Sequence, residues 1–282
     1  MSEPERLDID HLRGWIGREE VASEVLTPEK VRQFRATFDA APGAPQPGEA
    51  APRLIHWCLA QPVALMSALG PDGHPARGGF LPPVPLPRRM WAGGHLDFHD
   101  DVRVGDVVQR ASRIESVEVK EGRTGTLCFV TVLHRISAEG RPLLTERQDI
   151  VYRGLDGAPA KAAPEPAPAG AHVREVDASA PLLFRYSALT FNGHRIHYDY
   201  PYVTQVEGYP GLIVHGPLQA TLLLRHAAEI HGAPPARFSF RGLSPLFDNA
   251  PVLLNADATE VGLKLWTSRP SGPFGMMAEA GW

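Results

Sequence analysis

Residues 216–231 read GPLQATLLLRHAAEIH, with Gly232 next. Pro217 suits the first turn of a helix, where its missing N–H is no loss. Gly232 suits the left-handed position just past the last turn. Leu218, Leu222 and Ile230 form one apolar stripe, while Ala220, Leu223 and Leu224 lie on other faces. A helix apolar nearly all round is a buried helix. Strand candidates follow it at 237–242, 251–257, 260–268 and 274–282, so this stretch predicts a buried helix with a sheet around it.

The first half repeats the order. Thr27-Pro28-Glu29 begins a helix, with Thr27 as N-cap and Leu26 and Val31 placed to close a hydrophobic staple. Val31, Phe34 and Phe38 share its inner face. Residues 54–66, LIHWCLAQPVALM, read as partly helical with a break at Pro62, and 81–88, LPPVPLPR, as a rigid loop. Strands follow over 102–119, 126–136 and 143–153, joined by turns at 120–125 and 138–141. This is an antiparallel meander, not a βαβ series. A helix wrapped by a curved antiparallel sheet is the hotdog architecture. Two in one chain predict an α+β double hotdog, a pattern that other α+β folds also fit.

The 282 residues suggest about two domains. The break falls at 156–171, DGAPAKAAPEPAPAGA, whose four prolines and lack of large apolar residues predict an extended tether between 1–155 and 172–282. The net charge of −4 argues against a chain built to hold nucleic acid. No apolar run suffices for a membrane helix, and the acidic start MSEPERLDID is not a secretory signal. The two cysteines, Cys58 and Cys128, make neither a disulfide framework nor a metal spacing. The expectation is a cytoplasmic protein.

Chemistry concentrates in 192–217. Asn192-Gly193-His194-Arg195-Ile196-His197-Tyr198-Asp199 is followed by Glu207 through His215-Gly216-Pro217. Histidine suits proton transfer near neutral pH. The amides at the start of the 216–231 helix, with the positive end of its dipole, suit a developing oxyanion. The alternative for such a loop is a polar rim with satisfied hydrogen bonds. A metal reading competes, through His194 and His197 with His215 or Asp199, or through His95, Asp97 and His99. No G-x-S-x-G elbow and no glycine-rich phosphate loop occurs.

Residues 190–219, TFNGHRIHYDYPYVTQVEGYPGLIVHGPLQ, resemble the MaoC-like hydratases. The family motif runs Gly-Asp-x-Asn-Pro-x-His-x-Asp, then a Pro-hydrophobic-x-His-Gly helix start. His197 and Asp199 match it, Gly216 matches the glycine whose amide binds the thioester carbonyl, and Asn192 replaces the motif's first Asp. FNGHRIHYD, EGYPGLIVHGPL, GHPARGGFLPPVPLPRRMWAGG and ERQDIVYR are similar to a two-domain subgroup. It holds mesaconyl-C4-CoA hydratases, itaconyl-CoA hydratases and type 2 hydroxyacyl-thioester dehydratases. The resemblance implies a degenerate first hotdog and a catalytic second one.

It also implies a hydro-lyase acting on a branched C5 dicarboxylyl-CoA, itaconyl-CoA ahead of mesaconyl-C4-CoA, giving citramalyl-CoA, as in itaconate degradation. In that reading His197 is base and proton donor, Asn192 orients water and Gly216 N–H polarises the carbonyl. Asp199 orients His197 or caps a turn. Arg195, Arg88 and Arg89 are candidates for the substrate's free carboxylate, since arginine offers a bidentate fork. His215 and Trp91 are further pocket candidates. The implied partner is an acyl-CoA thioester, with no nucleic acid, no membrane, no metal and no separate cofactor; a homodimer is a further expectation. A 3-hydroxyacyl-thioester dehydratase, a hotdog thioesterase and a non-catalytic acyl-CoA-binding module are the alternatives.

Overall fold

The helix that decides the fold forms where the sequence places it, at Gly216–His231, closed by Gly232 at φ +87°. Leu218, Ala220, Leu223 and Ala227 are fully buried on it, and so are the polar Gln219 and Thr221. The computed structural model describes residues 7–122, 125–154 and 165–282. The tip of the 120–125 turn and most of the 156–171 tether lie outside the described residues. The end of that stretch is bound to the second half, the Ala171 amide donating to Asp257 at 2.7 Å and Trp266 Nε1 to the Pro168 carbonyl at 3.0 Å.

The first half holds α1 (Ile9–Arg13), β1 (Glu19–Val25), α2 (Pro28–Thr37), β2 (Arg88–Phe98), β3 (Val107–Gly122), β4 (Gly125–Ala138) and β5 (Arg141–Arg153). The second holds β6 (His172–Val176), α3 (Ala180–Leu189), α4 (Tyr200–Gln205), α5 (Gly216–His231), β7 (Arg237–Gly242), β8 (Val252–Thr259), β9 (Gly262–Ser268) and β10 (Phe274–Gly281). The strands form one antiparallel sheet in the order β1-β3-β4-β5-β2-β7-β10-β9-β8-β6. The halves therefore share a sheet, joined where β2 pairs with β7 from Gly93↔Arg241 to Asp97↔Arg237. Glycines make the joint possible. A Cβ at Gly93 would sit 2.6 Å from the Phe240 carbonyl oxygen, and one at Gly94 2.9 Å from the Phe240 ring.

Three sequence expectations need correction. Residues 182–190, LLFRYSALT, have the composition of a strand but are the body of α3: Pro181 opens it, and Leu183, Tyr186 and Ser187 form its buried face. Residues 95–99, whose flanking sequence has the polar character of a solvated loop, run along and off the end of β2. His95 and Asp97 do share a face there, 3.3 Å apart, but both are half exposed, and His99 turns to Thr145 instead. The first half also has no counterpart of α5 among the described residues. The place of a long helix is taken by a single 3-10 turn, Ile55–Cys58, buried between Leu54 and Leu59.

That turn sits on a buried polar network. Glu146 accepts from Trp57 Nε1 at 2.9 Å and lies 3.0 Å from His56 Nε2. His134 bridges Ser112 at 2.7 Å and Gln148 at 2.9 Å. Burial would raise the Glu146 carboxyl, yet the hydrogen bond from His56 and the nearby imidazoles hold it below the usual carboxylate value. The first half thus carries a buried polar network of its own. A cavity of about 330 Å³ bounded by His99, Ala111, Arg135 and Thr145 lies on it; of the candidate residues it includes His99 alone.

Candidate active site

Between α3 and α4 the chain makes a single 3-10 turn, Arg195–His197, which tucks the His197 ring inside. His197 Nδ1 lies 2.7 Å from the Ile213 carbonyl oxygen. A carbonyl only accepts, so Nδ1 carries the proton and Nε2 keeps a lone pair. Among the described residues no hydrogen bond occupies Nε2. Burial pushes the His197 pKa down to about 4, against the opposing pull of the Ile213 bond. His197 is therefore a neutral imidazole with its basic nitrogen free, the state a general base needs.

His215 lies flat under it, centroids 3.6 Å apart and planes 19° apart. It is 1% exposed, and its Nε2 meets Ser187 Oγ of α3 at 2.8 Å. Expected as a pocket residue, His215 is instead a buried support that fixes the His197 ring. It is also the N-cap of α5 and makes no side-chain cap bond, so the amide of the next residue, Gly216, has no protein acceptor among the described residues. Gln219 N–H is the first to find one, the His215 carbonyl at 3.0 Å. The helix start is anchored from behind: Thr267 Oγ1 donates to Gln219 Oε1 at 2.8 Å and accepts from Met276 N–H at 2.9 Å. A Cβ at Gly216 would lie 3.8 Å from the Trp91 carbonyl oxygen and 4.0 Å from Met276 Cε, ordinary contact distances, so the helix start is lined by β2 and β10 without being overpacked.

Asn192 Oδ1 accepts from the His194 backbone N–H at 3.0 Å, which fixes its amide plane. Its Nδ2 has no protein partner among the described residues, leaving a donor for a water oxygen. Asp199 does not orient His197. It caps α4 through the Tyr202 N–H at 3.1 Å and takes the Arg195 fork at 2.9 and 2.8 Å. The guanidinium holds its carboxyl below the usual range. Arg195 is occupied by Asp199 and by the Pro71 carbonyl at 2.9 Å, so it is not free for a substrate carboxylate. Arg88 is occupied too, donating to the Glu207 carbonyl at 3.1 Å and lying over the Tyr209 ring. Arg89 alone of the three has no salt bridge among the described residues, and its charge lies close enough to His74 and His194 to disfavour their protonation. Trp91 packs edge-on to Trp57 at 5.0 Å and near Phe240 at 5.9 Å, part of an aromatic wall at the β2–β7 joint.

The sequence reading missed one contribution altogether. A loop of the first half, residues 70–75, enters beside His194. Its Asp72 carbonyl accepts from Arg195 N–H at 2.9 Å. Gly73, at φ +86°, lies so close to Gly193 that a Cβ on it would collide with the Gly193 carbonyl oxygen. The His74 ring then lies 4.0 Å from His194, which in turn stands edge-on to His197 at 5.4 Å. Asp72, His74 and His194 place one ligand-type atom each within 4.8 Å of one another, a spacing that also suits a cation. Both Asp72 oxygens are already committed, however, one to the His74 N–H and one to His74 Nδ1, each at 3.0 Å. That is a hydrogen-bonded Asp–His pair. The motif signal that could have found it is GHP in 73–75, quoted above only for its likeness. The metal sets expected from spacing are not assembled: Asp199 faces Arg195 and His215 faces Ser187. The thiols are inert, burial pushing Cys58 up to about 12 and Cys128 to about 11.

The hydroxyacyl-thioester dehydratase type 2 family matches residues 54–248. The mesaconyl-C(4)-CoA hydratase of Chloroflexus aurantiacus is 43% identical over 270 residues, covering 94% of this chain and 95% of its own. Among solved structures, HtdX of Mycobacterium tuberculosis superposes with a TM-score of 0.67 at 20% identity, over 94% of this chain and 100% of that one. A second Mycobacterium tuberculosis protein, described as a double hotdog, matches with a TM-score of 0.51 at 14% identity, over 95% of this chain and 96% of its own. The double hotdog read from the two helix-then-meander halves is thus the fold of these neighbours, and no helix among the described residues is long and apolar enough to cross a membrane. A family match over residues 54–248 and 43% identity to a relative over nearly its whole length show that the chain belongs to the hydroxyacyl-thioester dehydratase type 2 family.

Proposed function

We propose that this chain adds water across the double bond of a branched C5 dicarboxylyl-CoA, with mesaconyl-C4-CoA as substrate and citramalyl-CoA as product. The observation that carries the chemistry is a neutral His197 with Nε2 free, stacked on the residue that precedes the unpartnered Gly216 amide. His197 Nε2 takes a proton from water as the water oxygen bonds to the β carbon. The π electrons move to the α carbon and thioester oxygen, where Gly216 N–H receives the charge. The same imidazole then returns the proton to the α carbon. One preorganised donor of this kind contributes about 3–4 kcal/mol to lowering the barrier. Asn192 Nδ2 holds the water.

The substrate follows from the Chloroflexus relative and from the chemistry. In mesaconyl-C4-CoA the double bond is conjugated to the thioester, so an amide at the carbonyl oxygen stabilises the charge directly. In itaconyl-CoA the double bond lies one carbon further away, so mesaconyl-C4-CoA now ranks ahead of it. The free carboxylate sits on the carbon that water attacks and needs a cation, and Arg89 is the candidate without a protein carboxylate. Action on 3-hydroxyacyl thioesters, the reverse direction on a straight chain, is the second reading and is supported by the family match. A cytoplasmic location belongs to this proposal. The experiment is a panel of mesaconyl-C4-CoA, itaconyl-CoA and crotonyl-CoA, followed by enoyl absorbance and by free thiol. Fastest loss of absorbance with mesaconyl-C4-CoA and no thiol release supports the proposal; thiol release with the absorbance retained makes it a thioesterase.

A further inference from the structure

We propose that the 70–75 loop of the first half is part of the catalytic apparatus, its Asp72–His74 pair acting through His194 as the counter-charge for the imidazolium that His197 becomes while it holds the proton taken from water. The inference rests on the hydration chemistry above and adds residues that chemistry did not use.

The need for a counter-charge is physical. His197 is buried, and the rings around it, His215, His194 and beyond it His74, are imidazoles whose burial keeps them neutral. A proton placed on Nε2 creates a charge in that low-dielectric cluster, and an uncompensated buried charge is costly. Asp199, the carboxylate nearest in sequence, is spent on Arg195. The carboxylate that reaches the cluster is Asp72. Burial would raise its pKa, yet the His74 bond and nearby imidazoles hold it well below the usual range, so it is an anion at every working pH. Arg77 and Arg89 also face His74 and oppose the effect. A substrate carboxylate on Arg89 removes much of that opposition when the enzyme is loaded.

Delivery is built into the backbone. The loop closes on itself through Gly70 N–H to the His74 carbonyl at 2.7 Å and Ala76 N–H to the Ala68 carbonyl at 2.9 Å. It is held to the second half by Arg195 N–H on the Asp72 carbonyl and by Arg195 Nη1 on the Pro71 carbonyl. Gly73 against Gly193 lets the two backbones meet. Proton accounting is unchanged: one proton leaves water for His197 Nε2 and leaves Nε2 for the α carbon. Asp72 and His74 neither gain nor lose one overall. They are positioning and charge-balancing residues.

The test uses the full chain with mesaconyl-C4-CoA. Asp72→Asn keeps the loop's backbone acceptor but removes the charge. The expected result is a fall in kcat of about tenfold or more, the equivalent of one pKa unit of base strength, with KM within about threefold. The acid limb of kcat moves to lower pH, because the imidazolium has lost its partner. His74→Gln, which cuts the link without touching the carboxylate, gives the same split and covers the case where Asp72→Asn folds poorly. A kcat loss with the acid limb unmoved would overturn the proposal, as would unchanged kcat. So would equimolar zinc in the wild type that Asp72→Asn abolishes. Wild-type protein that hydrates no enoyl-CoA would sink the hydration reading itself, a separate result.

Discussion

His197 and His215 lie ring on ring at 3.6 Å, and both are held neutral by burial, His197 with its pKa lowered to about 4 and His215 well below the usual value. A base lowered in this way works on the alkaline side of its pKa. Turnover should therefore be level from neutral pH down to about pH 5 and fall around pH 4. Stability has the same sign. A buried histidine whose folded pKa lies below its unfolded value of about 6.5 takes up protons on unfolding. Stability is thus full above pH 6.5 and is lost as pH falls toward the folded pKa. His74, His134, His194 and His226 add to the effect. Calorimetric melting at pH 7.5, 6.5 and 5.5 should show a flat first step and a drop of several degrees in the second. Equal melting temperatures at all three would contradict it.

Gly216→Ala separates folding from chemistry. The added methyl meets no protein atom closer than 3.8 Å, and alanine is the better helix former. Melting should stay level or rise slightly. A methyl beside the amide crowds the carbonyl that the amide would hold, so kcat/KM should fall at least tenfold, on the order of half the worth of an oxyanion donor. Steady-state kinetics beside a melting curve decides it; full activity would show that no thioester oxygen is held there.

Glu146→Leu tests the claim that the polar core of the first half is structural. The change leaves His56 and Trp57 Nε1 without their acceptor in a buried place. Breaking one side of such a buried pair costs about 3–5 kcal/mol. Denaturant titration should show that loss, while kcat measured well below the new midpoint should remain within about twofold. Selective loss of kcat in a stable protein would move this network into the active site.

The local signals in the sequence were dependable where local physics decides. Thr27 and Pro28 start α2 as read, with Thr27 Oγ1 accepting from Lys30 N–H at 3.2 Å, and Leu26 and Val31 are both fully buried. The bounds of α5 follow from Pro217 and Gly232. The failures lie where tertiary contact decides. LLFRYSALT has the β-like composition of a strand, but Pro181 and the burial of Tyr186 against Phe38 turn it into α3. His95 to His99 reads as loop because its neighbours are polar; only the β7 partner makes it a central strand. Arg88, Arg89 and Arg195 are equivalent in sequence. What separates them is which carboxylates the fold sets opposite, Glu207 and Asp199. His74 was invisible because its contact with His194 is long-range and depends on two glycines far apart in the chain.

His197→Gln is the most direct trial. The variant keeps a side chain of similar reach and removes the titratable nitrogen. With mesaconyl-C4-CoA, kcat should fall by about 10² or more, the usual contribution of a general acid–base group. KM and the affinity for citramalyl-CoA should change little. Turnover equal to that of the unaltered protein would contradict water addition at this imidazole.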